Sequence, residues 1–175
     1  MKVQDRKTHG EHLDYKQVSK RERSHTRAKK ETLFDLLKKD HESVMDIFDQ
    51  IDEEESTESL RGLFSQLQDE LDEHMQLEEQ FFYPALKEND DSREKILESY
   101  EQHQVVKTVL SQMQGVSPDD ERWVAKIKVL SELVNQHMGE EEKEVFKMAK
   151  RLIEKEKLRE IVGEIEKAKR ELIWH

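Results

Sequence analysis

From residue 31 to residue 172, apolar residues recur every three or four positions, and no segment alternates with period two. A stripe of that width folds by burying itself against other helices, so the chain is expected to be all-α, without a sheet. The first helix is expected at about 31–51, with Leu33, Leu37, His41, Val44, Phe48 and Ile51 on its stripe. The second, about 57–87, carries Leu60, Phe64, Leu67, Leu71, His74, Glu78, Phe81 and Ala85, with Pro84 expected to kink or end it. The third, about 92–114, carries Ile96, Tyr100, His103, Val106, Leu110 and Met113. The fourth, about 119–151, carries Trp123, Ile127, Leu130, Val134, His137, Glu141, Val145 and Met148. A fifth, about 155–172, carries Leu158, Ile161, Val162, Ile165 and Leu172. The breaks "DEEESTES", "KENDDS" and "GVSPDD" are short, and in the last Ser117 is expected to cap the fourth helix, with Pro118 in its first turn.

Short loops make consecutive long helices antiparallel. The expected architecture is an up-down-up-down four-helix bundle over 31–152, with an extra C-terminal helix over 153–175 packed on it. Residues 1–30 have no apolar period. They hold ten Lys/Arg against four Asp/Glu, a local charge of +6, while the rest holds 20 against 37, or −17. A basic tail without apolar period reads as disordered. Its charge leaves contact with nucleic acid, an anionic membrane or its own acidic domain open, although a solvated tail is the expected state.

The stripes contain six residues that do not belong on an apolar face. Burying a charge or an imidazole is unfavourable unless something pairs with it. Of the eight His, three lie in the tail and one is the last residue; the other four fall one per helix, all on the stripe. Chance placement on a stripe three-sevenths wide would put all four there about 3% of the time. Each lies near the midpoint of its span, and in an antiparallel bundle midpoints share a level. His41, His74, His103 and His137 are therefore expected to converge on one interior layer. Glu78 and Glu141 follow His74 and His137 by four positions, one turn away on the same face. "HMQLEEQFF" at 74–82 and "HMGEEEKEVF" at 137–146 lie 63 apart, and His41 and His103 lie 62 apart. The bundle is a two-helix unit written twice, each giving His and then His-x-x-x-Glu.

Four imidazoles and two carboxylates, in a chain with no cysteine, suit iron, manganese or zinc. Two buried carboxylates, each able to bridge, point to a pair of ions. The ferritin-like Glu-x-x-His arrangement differs in order and spacing. The absence of cysteine also excludes disulfides, thiolate zinc sites and iron–sulfur clusters and fits a reducing, cytoplasmic setting. No apolar run approaches the ~20 residues of a membrane span, and the N-terminus shows no secretory signal.

"LLKKDHESV", "HMQLEEQFFYPAL", "YEQHQVVKTVL" and "HMGEEEKEVF" resemble the successive helices of the haemerythrin-like HHE cation-binding family, over about 33–172. The resemblance implies a non-haem di-iron centre with O2 chemistry. Its ligands would be His41, His74, Glu78, His103, His137 and Glu141, with the two irons bridged by Glu78, Glu141 and an oxo or hydroxo group. The sequence departs from the oxygen carriers at the third helix, where a fifth His would stand one turn from His103; Ser99 and Lys107 occupy those places. Lys107 is expected to project near the metal layer. The Glu spacing in the second unit is also shorter than in the carriers, which makes Glu142 a competitor of Glu141. Tyr100, one turn before His103, either packs or hydrogen-bonds to bound oxygen. Three functions follow from the resemblance: O2 binding or sensing, a di-iron redox enzyme acting on peroxide or a related small oxidant, or a metal-responsive interaction module. No catalytic residue is assigned.

Overall fold

The computed structural model describes residues 31–172, all of the regular structure being helical. The tail at 1–30, with His9, His12 and His25, and the end with His175 lie outside the described residues, as does the side chain of Leu172.

Helix α1 (Leu33–Glu53) starts at a capping box: Asp35 N–H donates to the Thr32 hydroxyl, and Thr32 N–H donates to the Asp35 carboxylate. Ser56 caps α2 (Thr57–Leu77). A single π turn (Glu78–Phe82) carries α2 into α3 (Pro84–Lys87), so the three form one bundle helix. Asn89 caps α4 (Asp90–Met113), and Gly115, at φ +78°, ends it in the left-handed conformation that glycine adopts without strain. Helix α5 (Glu121–Glu140) is capped by Asp120, whose carboxylate accepts from Arg122 N–H at 2.8 Å, and not by Ser117. Ser117 instead accepts from Arg61 at 2.8 Å. A second π turn (Glu141–Val145) joins α5 to α6 (Phe146–Leu152), and α7 (Lys155–Leu172) closes the chain.

The interior has two apolar cores. One gathers Leu33, Leu37, Phe82, Ile96, Phe146 and α7 residues Ile161 and Ile165. The other gathers Val44, Phe48, Leu71, Val106, Leu110, Trp123, Leu130 and Val134. Along α1 the chain passes from Leu37 in the first core through His41 to Val44 in the second. The His/Glu layer therefore lies between them, at the waist. Helix α7 buries Ile161, Val162 and Ile165 in the first core.

The π turns change which residues finish the stripes. A continuous α-helix would bury Phe81 and Ala85, and Met148 in the fourth helix. The structure instead buries Phe82, Tyr83 and Leu86, and Phe146 and Ala149, leaving Phe81, Ala85 and Met148 half-buried. Each π turn inserts one residue into the repeat, with Tyr83 N–H donating to Glu78 C=O, five residues back, at 2.8 Å. The register moves on by one residue from there. Pro84 occupies the first position of α3 without breaking the span. Proline is not the cause of the turn, because the second unit makes the same turn with Lys147 in the corresponding place.

Candidate metal centre

All six candidate ligands are buried, with Glu78 fully inaccessible and none more than 5% exposed. The rings pair between neighbouring helices: His41 and His74 lie 4.9 Å apart, and His103 and His137 lie 4.6 Å apart. Ligand atoms of His41, His74, Glu78 and Glu141 all lie within 4.8 Å of one another, and so do those of Glu78, His103 and His137. Glu78 thus stands in both groups, between the ring pairs. Glu141 stands in the first group, its Oε2 3.2 Å from His41 Nε2.

The outer nitrogens fix the tautomers. His41 Nδ1 lies 3.0 Å from Glu142, and His103 Nδ1 lies 2.9 Å from Glu79. A carboxylate only accepts, so both Nδ1 atoms carry a proton, and the neutral His103 ring turns its Nε2 lone pair inward. His137 Nδ1 meets Gln102 Oε1 at 2.7 Å, while the amide N–H of Gln102 donates to Glu140. His103 Nε2 and His137 Nε2 are then 3.0 Å apart, lone pair toward lone pair. Such a contact is repulsive without a cation between or beside the two atoms. Among the described residues, six buried side-chain atoms make no well-directed hydrogen bond, close as some of them lie to one another: His41 Nε2, both nitrogens of His74, Glu78 Oε1 and both oxygens of Glu141. Buried polar groups are nearly always satisfied. A cluster of orphaned ligand atoms in one layer fits a bound metal.

The electrostatics fit as well. Burial lowers the pKa of His74, that of His103 to about 4, and that of His137 to about 3, with neighbouring imidazoles adding to the effect. These three rings are neutral at ordinary pH, the form in which an imidazole can ligate a metal. His41 is pulled the other way: burial lowers its pKa, but Glu141 and Glu142 outweigh it. Burial, and then the Glu141 charge, push the Glu78 carboxyl well above the usual range. A nearby cation reverses that penalty.

A family description, Hemerythrin HHE cation binding domain, matches residues 32–149. The chain belongs to the haemerythrin HHE family. It is a cation-binding domain of the kind that typically takes iron. The crystal structure of a hemerythrin HHE cation binding domain-containing protein from Mycobacterium kansasii superposes with a TM-score of 0.70 at 20% identity, covering 82% of this chain and 91% of that one. That likeness is one of fold. A curated DNA nickase of Nostoc sp. (strain PCC 7120 / SAG 25.82 / UTEX 2576) is 23% identical over 139 residues, or 77% of this chain. The haemerythrin chain spans only 38% of that relative's length.

Within this haemerythrin domain, several residues near the centre sit where the stripe reading did not place them. Lys107 does not reach the metal layer; its ammonium binds Glu79 at 2.8 Å, on the outer side of His103. Glu142 is not a rival to Glu141: it lies outside His41 and is held by Lys38 at 2.6 Å. Ser99 is buried, its hydroxyl donating to Lys95 C=O. Tyr100 packs edge-on against Tyr83 and donates to Glu79 C=O at 3.4 Å. The residue that the stripe reading missed is Tyr83. It is fully buried, donates to Glu78 Oε2 at 3.0 Å and stacks on His103 with ring centroids 5.4 Å apart. The repeat carried a signal for all of this. An offset of 63 pairs Glu79 with Glu142 and Tyr83 with Phe146, which stacks on His41. An offset of 62 pairs Asp40 with Gln102. The two halves thus differ at two positions beside the ligands: Tyr83 against Phe146, and Asp40 against Gln102.

Proposed function

We propose that this haemerythrin domain is a non-haem di-iron protein that binds or senses O2, its irons held by His41, His74, Glu78, His103, His137 and Glu141. The observation that carries the reading is the single buried layer of convergent Nε2 and carboxylate atoms, six of its polar atoms without a partner. Glu78, in reach of both ring pairs, would hold ions on either side of it, with Glu141 as its counterpart from the second unit. When bound, an iron pair supplies reversible redox chemistry with small oxidants. The chain's own residues set its surroundings. Glu142 and Glu79 orient His41 and His103 and raise their basicity as ligands. Phe82, Phe146 and Tyr83, all inaccessible or nearly so, form a dry wall against bulk water. The Tyr83 hydroxyl donates its one proton to the Glu78 carboxylate, and its oxygen lies 3.4 Å from His103 Nε2.

That hydroxyl favours a second reading, a di-iron enzyme acting on peroxide or a related small oxidant. Tyr83 offers a hydrogen-bond donor inside the site where the other half has only Phe146. We place the protein in the cytoplasm, which suits a chain without cysteine; no helix among the described residues is long and apolar enough to cross a membrane. The test is the metal content of protein purified from iron-replete cells, with its absorption spectrum in air and under reductant. Two irons per chain and a visible band lost on reduction support the reading, and less than one iron per chain refutes it. Steady-state peroxide consumption by the same sample separates the enzyme from the binder.

A further inference from the structure

His74 differs from the other three histidines. Each of those binds a carboxylate or amide oxygen through Nδ1, within 2.7–3.0 Å. Both nitrogens of His74 are without a partner, although the residue is 2% exposed. The acceptor in position to serve it is Asp40, but Asp40 Oδ2 stands 4.0 Å from His74 Nδ1, too far for a hydrogen bond. Asp40 is engaged elsewhere: Lys169, in the last turns of α7, binds both its oxygens at 2.7 and 2.8 Å. Lys169 also lies 3.4 Å from Glu73. These residues line one cleft of about 200 Å³ between α1, α2 and α7, whose wall includes Asp40, Ser43, Glu70, Glu73, His74 and Lys169. The cleft runs from partly exposed carboxylates at the surface to a fully enclosed imidazole of the metal centre.

In the corresponding place of the other half the acceptor is already engaged. Gln102 stands where Asp40 does, is bonded to His137, and is tied through Glu140 to Lys95 at 2.7 Å. A neutral amide already committed to its histidine offers a passing cation neither charge nor a free oxygen.

We propose that the cleft between α1, α2 and α7 is the port through which a divalent cation reaches the His41–His74 side of the centre, with Lys169 as its latch. The proposal rests on the metal-centre reading above and adds the route. Three carboxylates, Asp40, Glu70 and Glu73, attract a hard cation and hand it inward. The Lys169 ammonium occupies the same oxygens, so the incoming ion has to displace it from Asp40 and Glu73. His74 Nε2 already stands in the ligand layer, 3.4 Å from Glu78 Oε2, while its Nδ1 has no partner to hold it. Once its Nε2 is a ligand, Nδ1–H needs an acceptor, and Asp40, released by Lys169, is the group beside it. Helix α7 thereby becomes part of the loading machinery as well as a cover for the core.

The test is anaerobic stopped-flow loading of the full-length apo protein with Co2+ alone, followed by its visible absorption and closed by elemental analysis. Lys169→Met is expected to load roughly three- to tenfold faster, and Glu73→Gln or Glu70→Gln slower by a similar factor with a flatter salt dependence. All are expected to reach the wild-type Co2+ content. Lys107→Met, the same charge change on the His103 side, is expected to load within about twofold of wild type, because single charges outside the focusing cleft matter little to the on-rate. Should Lys169→Met not fold, the two Glu→Gln variants, at partly exposed positions, decide the matter. Wild-type rates in those variants, or an equal effect from Lys107→Met, would overturn the port while leaving the centre intact. A wild-type protein that takes up no Co2+ at equilibrium overturns the metal-centre reading and the port together.

Discussion

Replacing Glu78 with Gln separates the two roles of the buried carboxylate, because it should move stability in opposite directions with and without metal. Glu78 is inaccessible, its Oε1 is orphaned, and Oε2 accepts from Tyr83. Burial and the Glu141 charge raise its pKa, so ionising it opposes folding once the pH exceeds the ordinary carboxyl range. Gln keeps the shape and an acceptor for Tyr83 but carries no charge. The apo variant should therefore melt at or above the wild-type temperature, by as much as the ~1–3 kcal/mol that an unsatisfied buried group costs. With metal the order reverses. An ion present at a thousand times its dissociation constant stabilises the wild type by about 4 kcal/mol. If loss of a direct ligand weakens binding about a hundredfold, at the upper end of what even outer partners contribute, the same concentration leaves about 1.4 kcal/mol. At roughly 3 °C per kcal/mol for a domain of this size, the metal-induced rise in melting temperature shrinks from about 12 °C to about 4 °C. The assay is calorimetry of chelated and anaerobically Fe2+-loaded samples of both proteins, with metal content verified. An equal metal-induced rise in the two, or an apo variant destabilised as much as the loaded one, would refute the assignment of Glu78 as a metal ligand.

Two ions per chain should bind, and His74→Ala or His137→Ala should lower occupancy sharply by elemental analysis; replacing His9, His12, His25 or His175, which lie off the helix stripes, should not. Tyr83→Phe makes the first half resemble the second at that position. It should retain the ions, lower apo stability by about 1 kcal/mol through the lost hydrogen bond, and slow any peroxide consumption; unchanged turnover removes Tyr83 from the chemistry. The apo protein should lose stability on acidification. His103 and His137 stay neutral in the fold down to about 4 and about 3, whereas the unfolded chain takes up protons below about 6.5. The unfolded state then binds more protons, so their contribution is complete above pH 6.5 and falls by about 2 kcal/mol per histidine by pH 5. Glu78 works in the opposite sense, so denaturant titrations in the Glu78→Gln background isolate the histidine effect. A flat profile there contradicts the buried neutral imidazoles.

The sequence by itself determined the helices, their order and the meeting of the six ligand candidates. Each of these depends on local periodicity. An apolar residue every three or four positions commits a segment to a helix with one buried face, and short breaks commit neighbours to antiparallel packing. A His or Glu on that face, at the midpoint of each span, then has only the waist to occupy. Tertiary structure decided what lies beyond one helix or departs from its period. The π turns at Glu78 and Glu141 are invisible to a reading that advances 100° per residue. One inserted residue carries Phe82, Leu86 and Ala149 into the core in place of their neighbours, adds Phe146 beside Val145, and brings Tyr83 onto Glu78. The outer partners were hidden for a different reason. Glu79 and Lys107, or Asp40 and Lys169, are 28 and 129 residues apart, and charged residues are abundant on every exposed face. Which of them meet is set by how the helices are juxtaposed. A long Lys side chain can turn outward to a carboxylate as readily as inward, and on Lys107 the nearer charge, Glu79, wins over the metal layer.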